Sequence, residues 1–136
     1  MKIAVRYQSR SGNTRTVSQV IADDVGVKAE SVDVPITESV DLLFVGGGVY
    51  AFSMDESLRE FFAELDPAMV KSVAVFATSG FVGGTSKIVA AAKAKGIDIC
   101  GEALTVKLGP GIHEDKPLPD KQLRKINVFV KGVLGG

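Results

Sequence analysis

The 136-residue chain balances 16 Lys and Arg against 16 Asp and Glu, and 46% of it is hydrophobic. That length and content suit one domain, residues 1–136, with a core that needs no staples, and the even charge leaves neither a global field nor a basic tail for nucleic acid. The lone cysteine, Cys100, excludes an intramolecular disulfide; the start on an apolar strand pattern and the lack of any apolar run near the roughly 20 residues of a bilayer span predict a cytoplasmic protein with no membrane insertion.

Lys2 to Tyr7 reads as a short strand carrying Ile3, Val5 and Tyr7, and it feeds the polar turn Gln8-Ser9-Arg10-Ser11-Gly12. From Asn13 the apolar positions Val17, Val20, Ile21 and Val25 recur at helical spacing until Gly26, a C-terminal glycine. Glu30 to Val34 alternates like a sheet-edge strand, whereas Leu42, Leu43, Phe44 and Val45 form the continuous apolar run of a strand buried on both faces. Ser53 and Glu56 have the spacing of a capping box before a helix whose face is Leu58, Phe61, Phe62 and Leu65. Val73, Val75 and Phe76 make another buried strand, followed by the small-residue loop Thr78 to Gly84. Ile88, Ala91 and Ala92 suit a helix close to a sheet, Ile97 to Val106 a last strand, and Leu123, Ile126, Val130 and Val133 a closing helix.

Strands alternating with helices predict a parallel sheet with helices on both faces. Loops after the first, third and fourth strands then meet at the crevice where strand order reverses, the place where open α/β sheets bind ligands. Those three loops are the richest in Gly, Ser and Thr. In the first, Ser9, Ser11, Asn13 and Thr14 offer polar side chains, Gly12 permits close backbone approach, and a helix begins, so a phosphate is favoured there by free N–H groups and the helix dipole, with Arg10 at the rim. The plainer alternative is that these residues only cap the helix.

The run Gln8-Ser9-Arg10-Ser11-Gly12-Asn13-Thr14, directly after the first strand, resembles the phosphate-binding loop of flavodoxins, with Ser11-Gly12-Asn13-Thr14 the most specific part. The resemblance covers the order of elements along the chain and implies a doubly wound α/β fold of the short-chain flavodoxin-like type, with a parallel five-stranded sheet in the order 2-1-3-4-5. It implies an FMN cofactor, with Ser9, Arg10, Ser11, Gly12, Asn13 and Thr14 on the phosphate. Gly47, Gly48, Val49, Tyr50, Ala51 and Phe52 correspond to a second loop beside the flavin ring, and Thr78, Ser79, Gly80, Phe81, Gly83 and Gly84 to a third. A flat apolar ring needs a stacking surface, for which Tyr50 and Phe81 are the candidates, Phe52 packing instead on the following helix. The resemblance also implies that a backbone carbonyl in the second loop turns toward the reduced flavin, with Gly48 the flexible residue nearby.

The function expected is electron transfer through FMN to redox partner proteins, by a monomer or weak dimer, with no catalytic residue and no metal. Flavodoxins are usually strongly acidic and this chain is neutral, so a flavin-dependent oxidoreductase acting on a quinone or porphyrinogen is the first alternative. A flavin-free ligand-binding module on the same fold is the second. A phosphatase of that kind needs a cysteine in the first loop, whereas Cys100 lies in the last predicted strand, where burial as a small apolar residue is expected. His113 lacks clustered ligands, and Asp23-Asp24 and Glu114-Asp115 read as solvated. Gly46-Gly47-Gly48 lacks the spacing of a dinucleotide fingerprint. Lys121, Arg124, Lys125 and Lys131 read as the outer face of the closing helix, with a partner-docking patch the minority reading.

Overall fold

The computed structural model describes residues 1–8, 12–50, 53–54, 56–78, 84–107 and 118–135. Its strands are β1 (Ile3–Tyr7), β2 (Ala29–Ser31), β3 (Val40–Tyr50), β4 (Ser53–Met54), β5 (Val70–Thr78), β6 (Asp98–Ile99) and β7 (Leu104–Val106). Its helices are α1 (Asn13–Val25), α2 (Glu56–Glu64), α3 (Gly84–Ala94) and α4 (Asp120–Gly135), with a 3-10 turn at Pro67–Met69. β2, β1, β3 and β5 pair in that spatial order, all parallel, and β6 and β7 together fill the fifth place beside β5. This is the expected 2-1-3-4-5 sheet.

The sheet interior follows from the apolar run of β3. Leu42 and Phe44 face the layer of α1 and α4 with Val17, Ile21, Ile126, Val130 and Val133, while Leu43 and Val45 face Leu58, Phe61, Phe62, Ile88 and Ala92 of α2 and α3. A strand whose successive side chains point to opposite faces can be apolar throughout only when both faces are covered. Phe129 of α4 sets its ring edge-on to Phe44, with centroids 5.9 Å apart and planes at 72°. α1 ends as expected at Gly26, in the left-handed region at φ 75°, where the Val27 N–H reaches the Ala22 carbonyl at 3.0 Å.

Four details depart from expectation. The second strand stops at Ser31 rather than Val34, because the Ser31 hydroxyl accepts from the Asp33 N–H at 3.2 Å and the Val34 N–H turns back to the Ser31 carbonyl at 3.0 Å. β3 continues five residues past Val45, so Gly46-Gly47-Gly48 lies in a strand and not in a loop. Ser53 pairs with Tyr50 in an antiparallel ladder and α2 is described from Glu56, so the backbone of Ser53 lies in a strand rather than at the head of the helix. The last strand is broken at residues 100–103, with Gly101 in the left-handed region at φ 73°; Cys100 sits at the break, half-buried rather than buried, its thiol donating to the Val133 carbonyl at 3.4 Å.

Residues 32–39 join β2 to β3 with no helix, although the two strands flank β1 on opposite sides. A crossover without a helix has no ladder for its carbonyls, and Arg6 of β1 reaches two of them. Its side chain, 8% exposed, donates from Nε to Val34 O at 2.9 Å, from Nη2 to Pro35 O at 3.3 Å and from Nη1 to Val5 O at 3.2 Å. Burial pushes the guanidinium pKa below its ordinary value while Glu30 opposes the shift. At the other end of the sheet Asp41 receives the Lys2 backbone N–H at 2.7 Å and the Lys71 ammonium at 3.4 Å, and Lys2 pairs with Glu38.

Candidate functional site at the carboxyl edge of the sheet

The carboxyl ends of β1, β3 and β5 lie side by side, and named contacts tie them together. The Gln8 N–H, just past β1, donates to Gly46 O at 2.9 Å. The buried Gln8 side chain lies over Gly47, where a Cβ would stand 3.1 Å from Gln8 Oε1 and 2.8 Å from Leu58 Cδ2. Gly48 is the ladder partner of Thr78, the last residue of β5. Thr14, only 2% exposed in the first turn of α1, shares a 2.5 Å hydrogen bond between its Oγ1 and Thr78 Oγ1. The first and third candidate segments are thus bonded directly.

Gly12 precedes α1 as its N-cap in the left-handed region, φ 91° and ψ −9°, a conformation that costs a residue with a Cβ roughly 1–2 kcal/mol. Its carbonyl receives both the Thr16 N–H and the Thr16 hydroxyl at 3.0 Å. α2 and α4 place Glu56 and Asp120 in their first turns, where a carboxylate complements the helix dipole. α1, like α3, places none there, and the charged residue of its first turn is the cationic Arg15. An N-terminus without its own carboxylate, led by a left-handed glycine and flanked by a part-buried hydroxyl pair, suits an external anion.

Of the candidate residues, Gly12, Asn13 and Thr14 therefore sit at the head of α1. Gly47, Gly48, Val49 and Tyr50 belong to β3, and Gly48 is held in the ladder rather than free in a loop. The physical reason is packing: a Cβ at Gly46 or Gly47 would overlap Phe76 or Leu58, so these glycines let side chains lie flat on the strand. Thr78 ends β5 and Gly84 begins α3. Ser9, Arg10, Ser11, Ala51, Phe52, Ser79, Gly80, Phe81 and Gly83 lie outside the described residues, as do His113, Glu114 and Asp115.

Asp23 and Asp24 are exposed on α1, as are Lys121, Arg124, Lys125 and Lys131 on α4, where Lys125 reaches Thr105 O at 2.7 Å. Among the described residues no group of three or more His, Cys, Asp or Glu could hold a metal, and no helix is long and apolar enough to cross a membrane. Two features escaped the sequence reading. Arg6 is one, its signal being a cation inside an apolar strand. The other is a cleft of about 280 Å³ between the crossover and α2, floored by Val32, Ile36, Phe61 and Leu65 with Glu60 and Glu64 at its rim; it shares no lining residue with the carboxyl-edge cluster.

The model of the flavodoxin domain matches residues 4–98. In structure the chain is similar to rubredoxin oxygen:oxidoreductase of Desulfovibrio gigas, with TM-score 0.76 and 14% identity, over 97% of this chain and 35% of that one. A cysteine-to-serine mutant of flavodoxin from Pseudomonas aeruginosa has TM-score 0.67 and 13% identity, over 99% of this chain and 100% of that one. An NADPH-quinone reductase from P. pentosaceus has TM-score 0.65 and 14% identity, over 98% of each chain. This chain spans about a third of the first of these, and identities so low speak for the fold alone. No curated protein matches the chain in sequence.

Proposed function

The chain belongs to the flavodoxin domain family, and on that premise we propose that it is a flavoprotein that holds FMN at the carboxyl edge of its sheet and carries electrons between redox partner proteins. The observation that carries this reading is the junction of Gly12, Thr14 and Thr78: a left-handed glycine, a helix start without a carboxylate, and a hydroxyl pair that joins two of the three segments.

Ser9, Arg10, Ser11, Gly12, Asn13 and Thr14 would hold the phosphate, the last three at the head of α1. FMN, when bound, supplies one- and two-electron redox chemistry. The chain's own part is to bind and orient. The N–H groups and dipole of α1 favour the dianion, and Tyr50 and Phe81 provide apolar surface for the ring. A single phosphate-binding segment suits a mononucleotide better than a dinucleotide. No residue is asked to break a bond in a second substrate.

The test is binding of FMN and riboflavin to the full chain, followed by quenching of flavin fluorescence and by visible absorption after unbound flavin is removed. FMN is expected to stay with the protein. Gly12→Asp is expected to weaken FMN at least about tenfold and leave riboflavin unchanged, because it sets a carboxylate where the phosphate would sit in a backbone conformation that Asp tolerates better than most residues. Absence of FMN binding at micromolar concentration refutes the reading. Rapid turnover of a quinone by the FMN-loaded protein would favour the oxidoreductase alternative, which the likeness to a quinone reductase fold keeps open to assay.

A further inference from the structure

We propose that Thr78 is a positioning residue that acts through Thr14: it donates its hydroxyl proton to Thr14, so that the Thr14 proton is aimed at the phosphate of the bound ligand. The inference rests on the FMN reading and adds a direction to it, a hydrogen-bond relay that begins on β5 and ends at the head of α1.

The two Oγ1 atoms stand 2.5 Å apart, at the short end of the range for hydroxyl pairs, and Thr14 is buried at 2% exposure. Each hydroxyl has one proton and can accept at two lone pairs, so geometry alone permits either to donate. A phosphate dianion removes that freedom, because it only accepts. Were Thr14 to spend its proton on Thr78, it would turn lone pairs toward the anion. With Thr78 as donor, Thr14 accepts on one side and donates on the other, and its bond to the phosphate is charge-assisted. Thr78 is suited to holding this direction. Its backbone is fixed in the ladder opposite Gly48, and a β-branched side chain has few χ1 choices. The affinity for a phosphate at α1 is therefore set in part by a residue 64 positions away in sequence.

The experiment compares wild type with Thr78→Val, Thr78→Ser, Thr14→Val and the double variant Thr14→Val/Thr78→Val. Each is checked for folding by circular dichroism and titrated with FMN, riboflavin and inorganic phosphate. Thr78→Val keeps shape and branching and removes the donor, so FMN and phosphate affinity should fall by about 3- to 10-fold, part of the roughly 10- to 150-fold that a hydrogen bond to a charged group is worth. Riboflavin, lacking the phosphate, should lose less affinity than FMN in each variant, so that the preference for FMN over riboflavin falls. Thr78→Ser should restore affinity to within about twofold of wild type, and the double variant should bind FMN no worse than Thr14→Val alone, since Thr78 acts only through Thr14. If wild type binds FMN and Thr78→Val matches it, or if the two penalties multiply in the double variant, the relay is wrong while the FMN reading stands. If wild type binds neither FMN nor phosphate, both fall together.

Discussion

Replacing Gly46 by Ala isolates the packing that holds β3 against β5 beneath the site. A Cβ at Gly46 would lie no more than 2.6 Å from three carbons of the Phe76 ring. Phe76 is fully buried and is the ladder partner of Gly46, so neither ring nor strand can withdraw far. Two effects oppose each other. In a strand, where Gly46 has no positive φ, Ala reduces the freedom of the unfolded chain and on that account stabilises by about 0.4–1 kcal/mol. Overpacking a filled core costs about 1–3 kcal/mol, and an overlap with three ring atoms belongs at the upper end. The overlap should win, with a net loss of about 2–2.6 kcal/mol and a fall of roughly 3–5 °C in Tm per kcal/mol for a domain of this size. Urea denaturation followed by circular dichroism measures it, and Phe76→Leu supplies the control. The shorter side chain makes room for the new methyl, so the double variant should be more stable than the sum of the single losses by about 1 kcal/mol. A midpoint that stays put or rises in Gly46→Ala, or strict additivity with Phe76→Leu, would mean that the ring does not confine this position.

Two other perturbations test the frame around the site. Arg6→Met removes the donor to the carbonyls of Val34 and Pro35, residues that water can reach, so it should cost about 0.5–1.5 kcal/mol for each bond lost and accelerate amide exchange across residues 32–36 beyond any global change, as read by hydrogen-exchange mass spectrometry. The Asp41 carboxyl is held below its ordinary pKa by the Lys2 N–H first and Lys71 after it. A depressed folded pKa means that its contribution is complete above the unfolded value of about 3.9 and is lost as pH falls through the folded value. Asp41→Asn should therefore lose less stability than wild type on acidification from pH about 5 to about 2, measured by urea midpoints at each pH; equal losses would count against the assignment.

The doubly covered parallel sheet was legible because β3 and β5 have apolar runs that only such a sheet can bury, and because glycines and polar turns fall between periodic stretches; its strand order came from the resemblance to flavodoxins, since an apolar run shows that a strand is interior and not which strands flank it. The head of α1 was legible for a similar reason: Ser11-Gly12-Asn13-Thr14 is a short local pattern with a local cause. What escaped depended on partners distant in sequence. Gly46 and Gly47 look like loop residues until Phe76 and Leu58 are set on them, and Ser53 looks like a cap until Tyr50 is found opposite it. Arg6 is unremarked in a strand until the crossover is seen to pass over it without a helix. Cys100 reads as core until Gly101 takes the chain out of the ladder. Periodicity reports which face a residue occupies, not what arrives there from the rest of the chain.

The outer members of the sheet have a consequence for life in a crowded solution. At one margin stands β2, three residues long and turned away by Ser31 and Asp33; at the other stand β6 and β7, two and three residues long with a kink between them. An unpaired strand invites another chain to continue its ladder in proportion to its length and flatness. Here the invitation ends within one or two hydrogen bonds on either side. The long, apolar strands that would make good templates for fibre growth, β3 and β5, are both interior. The molecule keeps its most adhesive segments where no neighbour can reach them without first unfolding it.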